Sequence, residues 1–310
     1  MNDTSVNIKA VLQILASTIL WGIGYPFWKF LAIEFSPLTL TLITFTFAAT
    51  VIFIMYRLSI RELIEKFKTH FILLMLLGLS GGVLGTGLIM YSLSLVDISI
   101  ASFIEKLQPI FAIAAAKIFL NESLPKGKMP FILLALVCSY FLAVPEPLSP
   151  FYSDISYVGV FAAAGASLFY GLNTVICRYL VVDGISAAEL TFFRMSIGAC
   201  QLLPIVYLQG GLTSDLLQKP LNVWLILILA SIISLVLAFD MFFRGLKFVS
   251  ASIATMLELV TPVVAMGVGV YFLNEKVSLS QILAVPVFLF SIYYISSTKR
   301  TKKLNQMNQP

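Results

Sequence analysis

The sequence predicts an all-α polytopic membrane protein with ten transmembrane helices arranged as two inverted five-helix repeats. The 310 residues are 59% hydrophobic and only 11% charged, with a mean hydropathy of +0.98. A soluble domain carries about 25% charged residues, so this chain has too few charges to cover a water-facing surface. Its apolar residues form runs of about 20, the length that a helix needs to cross a bilayer. An internal repeat, described below, divides these runs into two sets of five.

Ten apolar runs, bounded by charges, prolines or turn residues, are the candidate spans. A helix satisfies its own backbone hydrogen bonds in lipid, so each run is predicted to cross as a helix. The predicted spans are residues 10–31, 37–56, 71–95, 99–120, 129–146, 157–180, 187–208, 223–246, 251–273 and 280–297. The first run is too long for the core of a signal peptide, which predicts a retained membrane helix.

The distribution of Lys and Arg predicts the orientation. With the N-terminus in the cytoplasm, fifteen of the 20 basic residues fall on the inner side, as the positive-inside rule requires. They are Lys9, Arg57, Arg61, Lys66, Lys68, Lys117, Lys126, Lys128, Arg178, Arg244, Lys247, Lys299, Arg300, Lys302 and Lys303. Both termini are therefore predicted to be cytoplasmic, and the basic inner side fits a plasma membrane or an inner membrane.

The internal repeat is the most informative pattern. Residues 98–109 read ISIASFIEKLQP and residues 251–262 read ASIATMLELVTP, at an offset of 153. Residues 36–44 match residues 186–194 at an offset of 150. The predicted halves are residues 1–152 and 153–310, with five spans each. Because five is odd, the second half enters from the opposite side of the membrane, which is the inverted symmetry of many secondary transporters.

Three short stretches have the pattern of a known family. They are Leu20-Trp21-Gly22, Arg194 following Ser186, and a Glu-x-x-x-Pro pattern that ends at Pro109 and at Pro262 and is followed in each half by Asn-Glu. On these residues the chain resembles the drug/metabolite transporter superfamily, in particular its EamA-type permeases. The resemblance implies transport of metabolites, often outward and often against a proton or exchange gradient. The chain departs from the pattern at Thr44, where an Arg is common, and at Asp240, where an aromatic residue is common.

Glu105 and Glu258 lie inside predicted spans, where a charge costs at least about 2.5–3.5 kcal/mol. Glu105 and Glu258 each precede a proline by four residues, so Pro109 and Pro262 leave their backbone carbonyls without a donor. A carboxylate beside a free carbonyl at a helix break can hold a cation, a proton or an ammonium group. Alternatively, the prolines are hinges only and each carboxylate bonds a neighbouring helix, with Lys106 compensating Glu105.

Spans 7 and 8 contain further charged residues. Asp240 and Arg244 are four residues apart and can pair on one helix face as an inner gate, or Asp240 can titrate as an ion-coupling group. Arg194 is the most central cation. It is predicted either to bind a substrate carboxylate or to pair with Glu189 or Asp240.

Aromatic residues form a candidate wall for a flat or cationic ligand. Trp21 and Tyr25 share one face of the first span. Tyr170 and Asn173 are the counterparts of this region in span 6, and Tyr91 is a further candidate. Ordinary aromatic packing is the competing interpretation.

The leading hypothesis is a secondary transporter of small polar metabolites, such as amino acids, that works by alternating access. A channel or lipid scramblase is the alternative. The chain has no P-loop, H-E-x-x-H or G-x-S-x-G motif and no metal-ligand spacing, so an enzyme, a metal site and a cofactor are not predicted. The expected partners are a small-molecule substrate and membrane lipids, with no nucleic acid, for a monomer or homodimer.

Overall fold

A computed structural model of the chain describes residues 7–93, 95–96, 101, 104–122, 127–143, 156–212, 216, 218–273 and 278–296. Over these ranges the regular elements are helices, and no strand is present. The α-helices are α1 (Ile8–Glu34), α2 (Pro37–Met55), α3 (Ile60–Thr69), α4 (Phe71–Leu77), α5 (Gly87–Leu93), α6 (Gln108–Phe119), α7 (Met129–Ala143), α8 (Tyr157–Val182), α9 (Ala187–Leu208), α10 (Leu221–Ser231), α11 (Ala238–Leu246), α12 (Ala251–Leu257), α13 (Thr261–Leu273) and α14 (Leu279–Ser296).

Six helical rods in the described part of the chain are long and apolar enough to cross a membrane. They are Ile8–Glu34, Pro37–Met55, Phe71–Ser92, Tyr157–Val182, Ala187–Leu208 and Leu221–Leu246. Four shorter apolar helices, Gln108–Phe119, Met129–Leu142, Ala251–Val260 and Leu279–Tyr294, coincide with the other predicted spans. The all-helical, multi-pass membrane fold is thus confirmed, while the number of ten crossings stays a prediction.

Two of the long rods change their winding near the middle. A π-helix, Gly78–Thr86, joins α4 to α5, and a second π-helix, Ile232–Leu237, joins α10 to α11. The two segments occupy corresponding places in the two halves. A π-helix widens the turn by one residue and is often found at functional sites. Hydropathy did not predict these segments, because a widened turn leaves the apolar content unchanged.

The helix breaks predicted at the two prolines are present. Pro109 lies at the start of α6, and a 3₁₀ turn, Glu258–Val260, separates α12 from α13 just before Pro262. The prediction that Glu258 has a free carbonyl is wrong. The backbone N–H of Thr261 donates to this oxygen and the Thr261 hydroxyl donates to it at 2.8 Å, because the 3₁₀ turn brings both groups back toward it.

The packing contacts between helices follow the internal repeat: a contact between two helices has an equivalent contact between their counterparts in the other half. Helix α1 packs against α11 and α13, and its counterpart α8 packs against α5 and α6. Helix α2 packs against its own counterpart α9, and α7 against α14. This is the packing that a two-fold axis between the halves produces. The predicted boundary between residues 152 and 153 lies outside the described residues.

One helix was not predicted from hydropathy. Helix α3 is amphipathic, and Leu63 and Phe67 turn toward the core while Arg61, Glu62, Glu65 and Lys68 are exposed. Ser59 caps it, accepting from the Glu62 N–H at 3.5 Å. The Ser-x-x-Glu capping pattern, with apolar residues three and four apart, was the available signal.

The two ends of the bundle are named here by α1. The near face is the end where α1 begins, and the far face is the end where it finishes at Glu34. Lys9 and Lys247 line one cavity at the near face together with Tyr56, where α2 ends. Basic residues at the ends of α1, α2, α8 and α11 therefore collect at the near face, as the positive-inside pattern predicted.

Candidate functional site

The two helix breaks meet at the centre of the molecule. Gln108, in the first turn of α6, donates from Nε2 to Glu258 Oε2 at 3.5 Å. The same nitrogen lies 3.4 Å from Thr174 Oγ1 on α8. The first half therefore contributes an amide to a carboxylate of the second half. Gln108 and Thr174 were missed in the sequence, although Gln108 stands next to Pro109 within the repeated motif.

The Glu258 carboxyl group is only partly satisfied. Its Oε1 is buried and has no hydrogen-bond partner among the described residues. The charges of Glu105, Lys106 and Arg194 all act on this group. Buried acceptors without a partner typically cost about 1–3 kcal/mol, so this oxygen is a strong candidate for binding a ligand or a proton.

Glu105 and Lys106 form an ion pair beside Glu258. Lys106 Nζ lies 3.4 Å from Glu105 Oε1. The Lys106 side chain is 11% exposed and the Glu105 side chain is 19% exposed. Adjacent residues on an α-helix do not face each other, so their side chains must bend to meet. Here Lys106 lies in the turn before α6, which lets it reach Glu105. Of the three carboxylates predicted as candidates for ion coupling, Glu105, Glu258 and Asp240, the first is therefore compensated locally.

Arg194 of α9 has a different partner from the two predicted for it. Its Nη1 donates to Asn173 Oδ1, and Asn173 Nδ2 donates to the Leu77 carbonyl at 2.9 Å. Its guanidinium carbon lies 4.6 Å from the centre of the Phe239 ring, while its Nε is buried and has no hydrogen-bond partner among the described residues. A pair with Glu189 or Asp240 is therefore not formed.

Other bases occupy those two carboxylates. Lys66 Nζ lies 2.6 Å from Glu189 Oε2, and Arg244 Nε lies 2.7 Å from Asp240 Oδ2. Sequence spacing identified the second pair, because residues four apart share a helix face. It did not identify the first, whose members are separated by 123 positions.

A glycine in the first π-helix makes room for the Arg194–Asn173 contact. A Cβ atom at Gly81 would lie 2.6 Å from Arg194 Nη1 and 2.6 Å from Asn173 Nδ2. Any side chain at this position would therefore displace the buried guanidinium or the amide. Ser80, one residue earlier, supplies a second acceptor to Asn173 Nδ2 at 3.0 Å.

Trp21 contacts Phe239, the ring that also lies against the Arg194 guanidinium. Its ring packs edge-on against Phe239, with centroids 5.1 Å apart, and its Nε1 donates to the Ser234 carbonyl of the second π-helix at 2.9 Å. It thus has the contacts of a packed core aromatic and borders the site through Phe239. The side chain of Tyr25 lies outside the described residues.

Tyr170 and Tyr91 were also predicted to belong to the aromatic wall. Tyr170 Oη is 3.2 Å from Thr86 Oγ1, and the charges of Glu105 and Arg194 act on this phenol, which therefore belongs with the Glu258 side of the site. Tyr91 is 53% exposed. We call Glu105, Lys106, Gln108, Tyr170, Asn173, Thr174, Arg194 and Glu258 the central polar cluster.

The Asp240–Arg244 pair extends to the near face through Tyr56. Tyr56 Oη donates to Asp240 Oδ2 at 2.9 Å and lies 3.3 Å from Arg244 Nη2. Burial raises the pKa of Tyr56, and its hydrogen bond to Asp240 raises it further. Tyr56 therefore remains a neutral donor that joins the end of α2 to α11.

Further ion pairs hold each face of the bundle. At the near face there are two pairs. One is Lys66 with Glu189, and in the other His70 Nε2 lies 2.7 Å from Asp183 Oδ2. At the far face, Lys219 Nζ lies 2.9 Å from Glu34 Oε2. At each face, the basic residue lies just before the third long helix of one half. The acidic residue lies near the junction between the first and second helices of the other half.

Comparison with known proteins decides the family. The profile of the EamA-like transporter family matches the chain twice, over residues 8–144 and 157–297. The chain is a member of the EamA-like transporter family. This confirms the resemblance to EamA-type permeases of the drug/metabolite transporter superfamily, and the family and its named relatives are transporters rather than enzymes.

Two relatives and one solved structure illustrate the membership. The riboflavin transporter ImpX of Fusobacterium nucleatum is 30% identical over 223 residues, which is 70% of this chain and 74% of the relative. The uncharacterized transporter YoaV of Bacillus subtilis is 24% identical over 96% of this chain and all of its own length. A crystal structure with 16% identity covers 93% of this EamA-like chain and 97% of its own, with a TM-score of 0.73, and so shares the fold.

Proposed function

We propose that this EamA-like protein is a secondary carrier that moves a small polar solute by alternating access, with the central polar cluster as its binding site. The cluster lies where the helix breaks of both halves meet, as substrate sites of inverted-repeat carriers do. It contains both signs of charge, two amides and a phenol, with aromatic rings on one flank. Such a site can orient a solute that has polar ends and a flat or apolar body.

One observation supports this proposal above the others. Glu258 Oε1 and Arg194 Nε are a buried acceptor and a buried donor, and each lacks a partner among the described residues. A solute with a hydrogen-bond donor at one end and an acceptor at the other would satisfy both. Because an unmade buried hydrogen bond is costly, such a ligand would also stabilise the fold.

Two classes of solute have this complementarity. An amino acid offers a carboxylate to Arg194 and an ammonium group to Glu258. Riboflavin, the solute in the printed name of the Fusobacterium relative, offers carbonyl acceptors and an imide N–H on a flat ring that suits Phe239 and Trp21. We place riboflavin or a similar flat heteroaromatic solute first, because the relative and the aromatic flank agree, and amino acids second.

Glu258 is the proposed site of proton coupling. Glu105 already has Lys106, and Asp240 already has Arg244 and Tyr56. Asp240 and Glu258 each keep one buried oxygen without a partner among the described residues, but Asp240 is neutralised by Arg244, whereas Glu258 is hydrogen-bonded to the neutral amide of Gln108. Asp240 and Arg244 would then act as a gate at the near face, and the breaks at Pro109 and Pro262 as hinges.

The near face is proposed to be cytoplasmic, in a cell membrane, with both termini inside and export as the direction. The support is the concentration of basic residues at that face. Each chain contains its own central polar cluster, so the proposed function applies equally to a monomer and to a homodimer.

Counterflow in proteoliposomes tests the proposal. Vesicles preloaded with unlabelled riboflavin, or with a mixture of amino acids, are diluted into the labelled solute. Accelerated, saturable uptake that is lost in Arg194→Gln and retained in Arg61→Gln, an exposed control, is expected. Flux that does not saturate and is unaffected by preloading would instead identify a channel, and scrambling of labelled lipid would identify a scramblase.

A further inference from the structure

A cavity lies at the near face, and its lining contains none of the residues of the central polar cluster. Its volume is about 610 Å³, which is within the range of about 300–1,000 Å³ for small-molecule sites. Ends of α1, α2, α8, α9 and α11 form its wall. The lining residues are Asn7, Lys9, Gln13, Tyr56, Leu58, Val181, Ile185, Ser186, Ala187, Ala188, Phe243, Arg244, Lys247 and Phe248. We call this cavity the vestibule.

The charges that line the vestibule are all positive. Lys9, Arg244 and Lys247 belong to its wall, and the wall includes no acidic residue. In the described part of the chain, the ammonium groups of Lys9 and Lys247 have no ion-pair partner, while Arg244 uses Nε and Nη2 and keeps Nη1 free. Three cations around one concave, low-dielectric surface concentrate anions in the cavity.

The wall is also connected to the near-face ion pairs. Arg244 binds Asp240, and Tyr56 contacts both of these side chains. Ser186 donates to Glu189 Oε2, the oxygen that also accepts from Lys66. An anion that binds the free Nη1 of Arg244 therefore shares this guanidinium with Asp240, which occupies Nε.

We propose that the vestibule is a binding site for a phosphate-bearing small molecule. A phosphate monoester has a charge of about −1.5 to −2 at pH 7 and three acceptor oxygens, which matches one guanidinium and two ammonium donors. The site is distinct from the proposed carrier site, because it lies at the mouth and contains none of the cluster residues. A phospholipid headgroup and a free phosphorylated solute share this chemistry.

Binding of inorganic pyrophosphate to the full chain in phosphatidylcholine nanodiscs, followed by calorimetry, tests the proposal. Lys9→Gln and Lys247→Gln are each expected to weaken binding about fivefold, the upper end for an exposed ion pair. Lys68→Gln is the matched control, an exposed lysine on α3 outside the vestibule wall, and is expected to bind as the unsubstituted chain does. Affinity should also fall as salt is raised.

Absence of pyrophosphate binding, or equal weakening by Lys68→Gln and Lys247→Gln, would overturn the site. Repeating the titration in phosphatidylglycerol nanodiscs separates the two sources. If pyrophosphate binds with the same affinity in phosphatidylglycerol, the vestibule takes a free phosphorylated solute. If its affinity is reduced, and the reduction depends on Lys9 and Lys247, the lipid headgroup competes for the vestibule. Binding without counterflow would refute the carrier function alone, and counterflow without binding would refute the vestibule alone.

Discussion

At the scale of single residues, the structure separates four intramembrane charges that look equivalent in the sequence. Glu105 is paired with its neighbour Lys106, and Asp240 is paired with Arg244 through Oδ2, although its Oδ1 is buried without a partner among the described residues. Arg194 is held by Asn173 but keeps an unsatisfied nitrogen, and Glu258 keeps an unsatisfied oxygen. A carboxylate or guanidinium that is incompletely satisfied inside a bilayer is the one most able to bind a ligand.

Glu258→Gln is expected to abolish proton-driven uptake and to leave counterflow measurable. Glutamine keeps the size and the contact with Gln108 but cannot release a proton. Uptake driven by an imposed pH gradient in proteoliposomes measures the effect, with Glu62→Gln on the exposed face of α3 as the control. Unchanged proton-driven uptake would remove Glu258 from the coupling step.

Gly81→Ala is expected to destabilise the protein by about 1–3 kcal/mol, the usual cost of overpacking. The added methyl group would lie 2.6 Å from both Arg194 and Asn173. Gly267→Ala is the matched control, because a Cβ there meets no atom within 4 Å and removing a helical glycine stabilises by about 0.5–1 kcal/mol. Thermal unfolding in detergent is the measurement, and equal midpoints for the two variants would contradict the packing described here.

At the scale of elements, corresponding helices of the two halves have diverged in their local bonds. Ser186 and Ser36 both precede the second helix of a half. Ser186 forms a complete capping box with Glu189, whereas Ser36 makes no capping hydrogen bond. The repeat therefore predicts where a helix starts, but the bonds that stabilise that start differ between the halves.

Ser186→Ala is expected to cost about 1 kcal/mol, the typical value for a lost N-cap. It removes the hydroxyl bond to the Glu189 N–H and one of the contacts that orient Glu189 toward Lys66. Ser36→Ala, at the equivalent position, should have a much smaller effect on the unfolding midpoint. Equal losses from both substitutions would show that the cap contributes nothing specific.

At the scale of the whole molecule, ion pairs hold both ends of the bundle. Glu34 with Lys219 spans the far face, and Glu189 with Lys66 spans the near face. In an alternating-access carrier the two sets must open in turn. Cys177 is a native reporter, since it is buried with its sulfur 3.6 Å from Asn173 Oδ1 in the central polar cluster.

Breaking one set is expected to expose Cys177 from that side alone. In a background with Cys138→Ala and Cys200→Ala, Glu189→Gln should raise labelling by a membrane-impermeant maleimide applied at the near face. Glu34→Gln should raise labelling from the far face. Labelling that increases equally from both sides in either variant would fit an open channel rather than a carrier.

Much of the candidate site was predictable residue by residue. The repeat identified Glu105, Glu258 and both prolines, and the Asp240–Arg244 pair followed from helical spacing. Gln108 and Thr174 were missed, because a single uncharged polar residue in an apolar helix has no distinctive pattern. The partners proposed for Arg194 were wrong, because its contact with Asn173 depends on how α8 and α9 pack against the π-helix at Gly81.

The sequence by itself determined that the chain is a multi-pass helical membrane protein built from two similar halves and related to EamA-type permeases. Hydropathy, helical spacing and duplication are properties of neighbouring residues or of the linear order, so they are visible without coordinates. Only the tertiary structure decided the two π-helices, the bonds to the Glu258 carbonyl and the partners of Arg194, Glu189 and Glu258. The partners of Arg194, Glu189 and Glu258 include residues that are distant in the chain, and the packing of whole helices brings them together. The π-helices and the turn at Glu258 are local changes of winding that hydropathy and helical spacing do not mark.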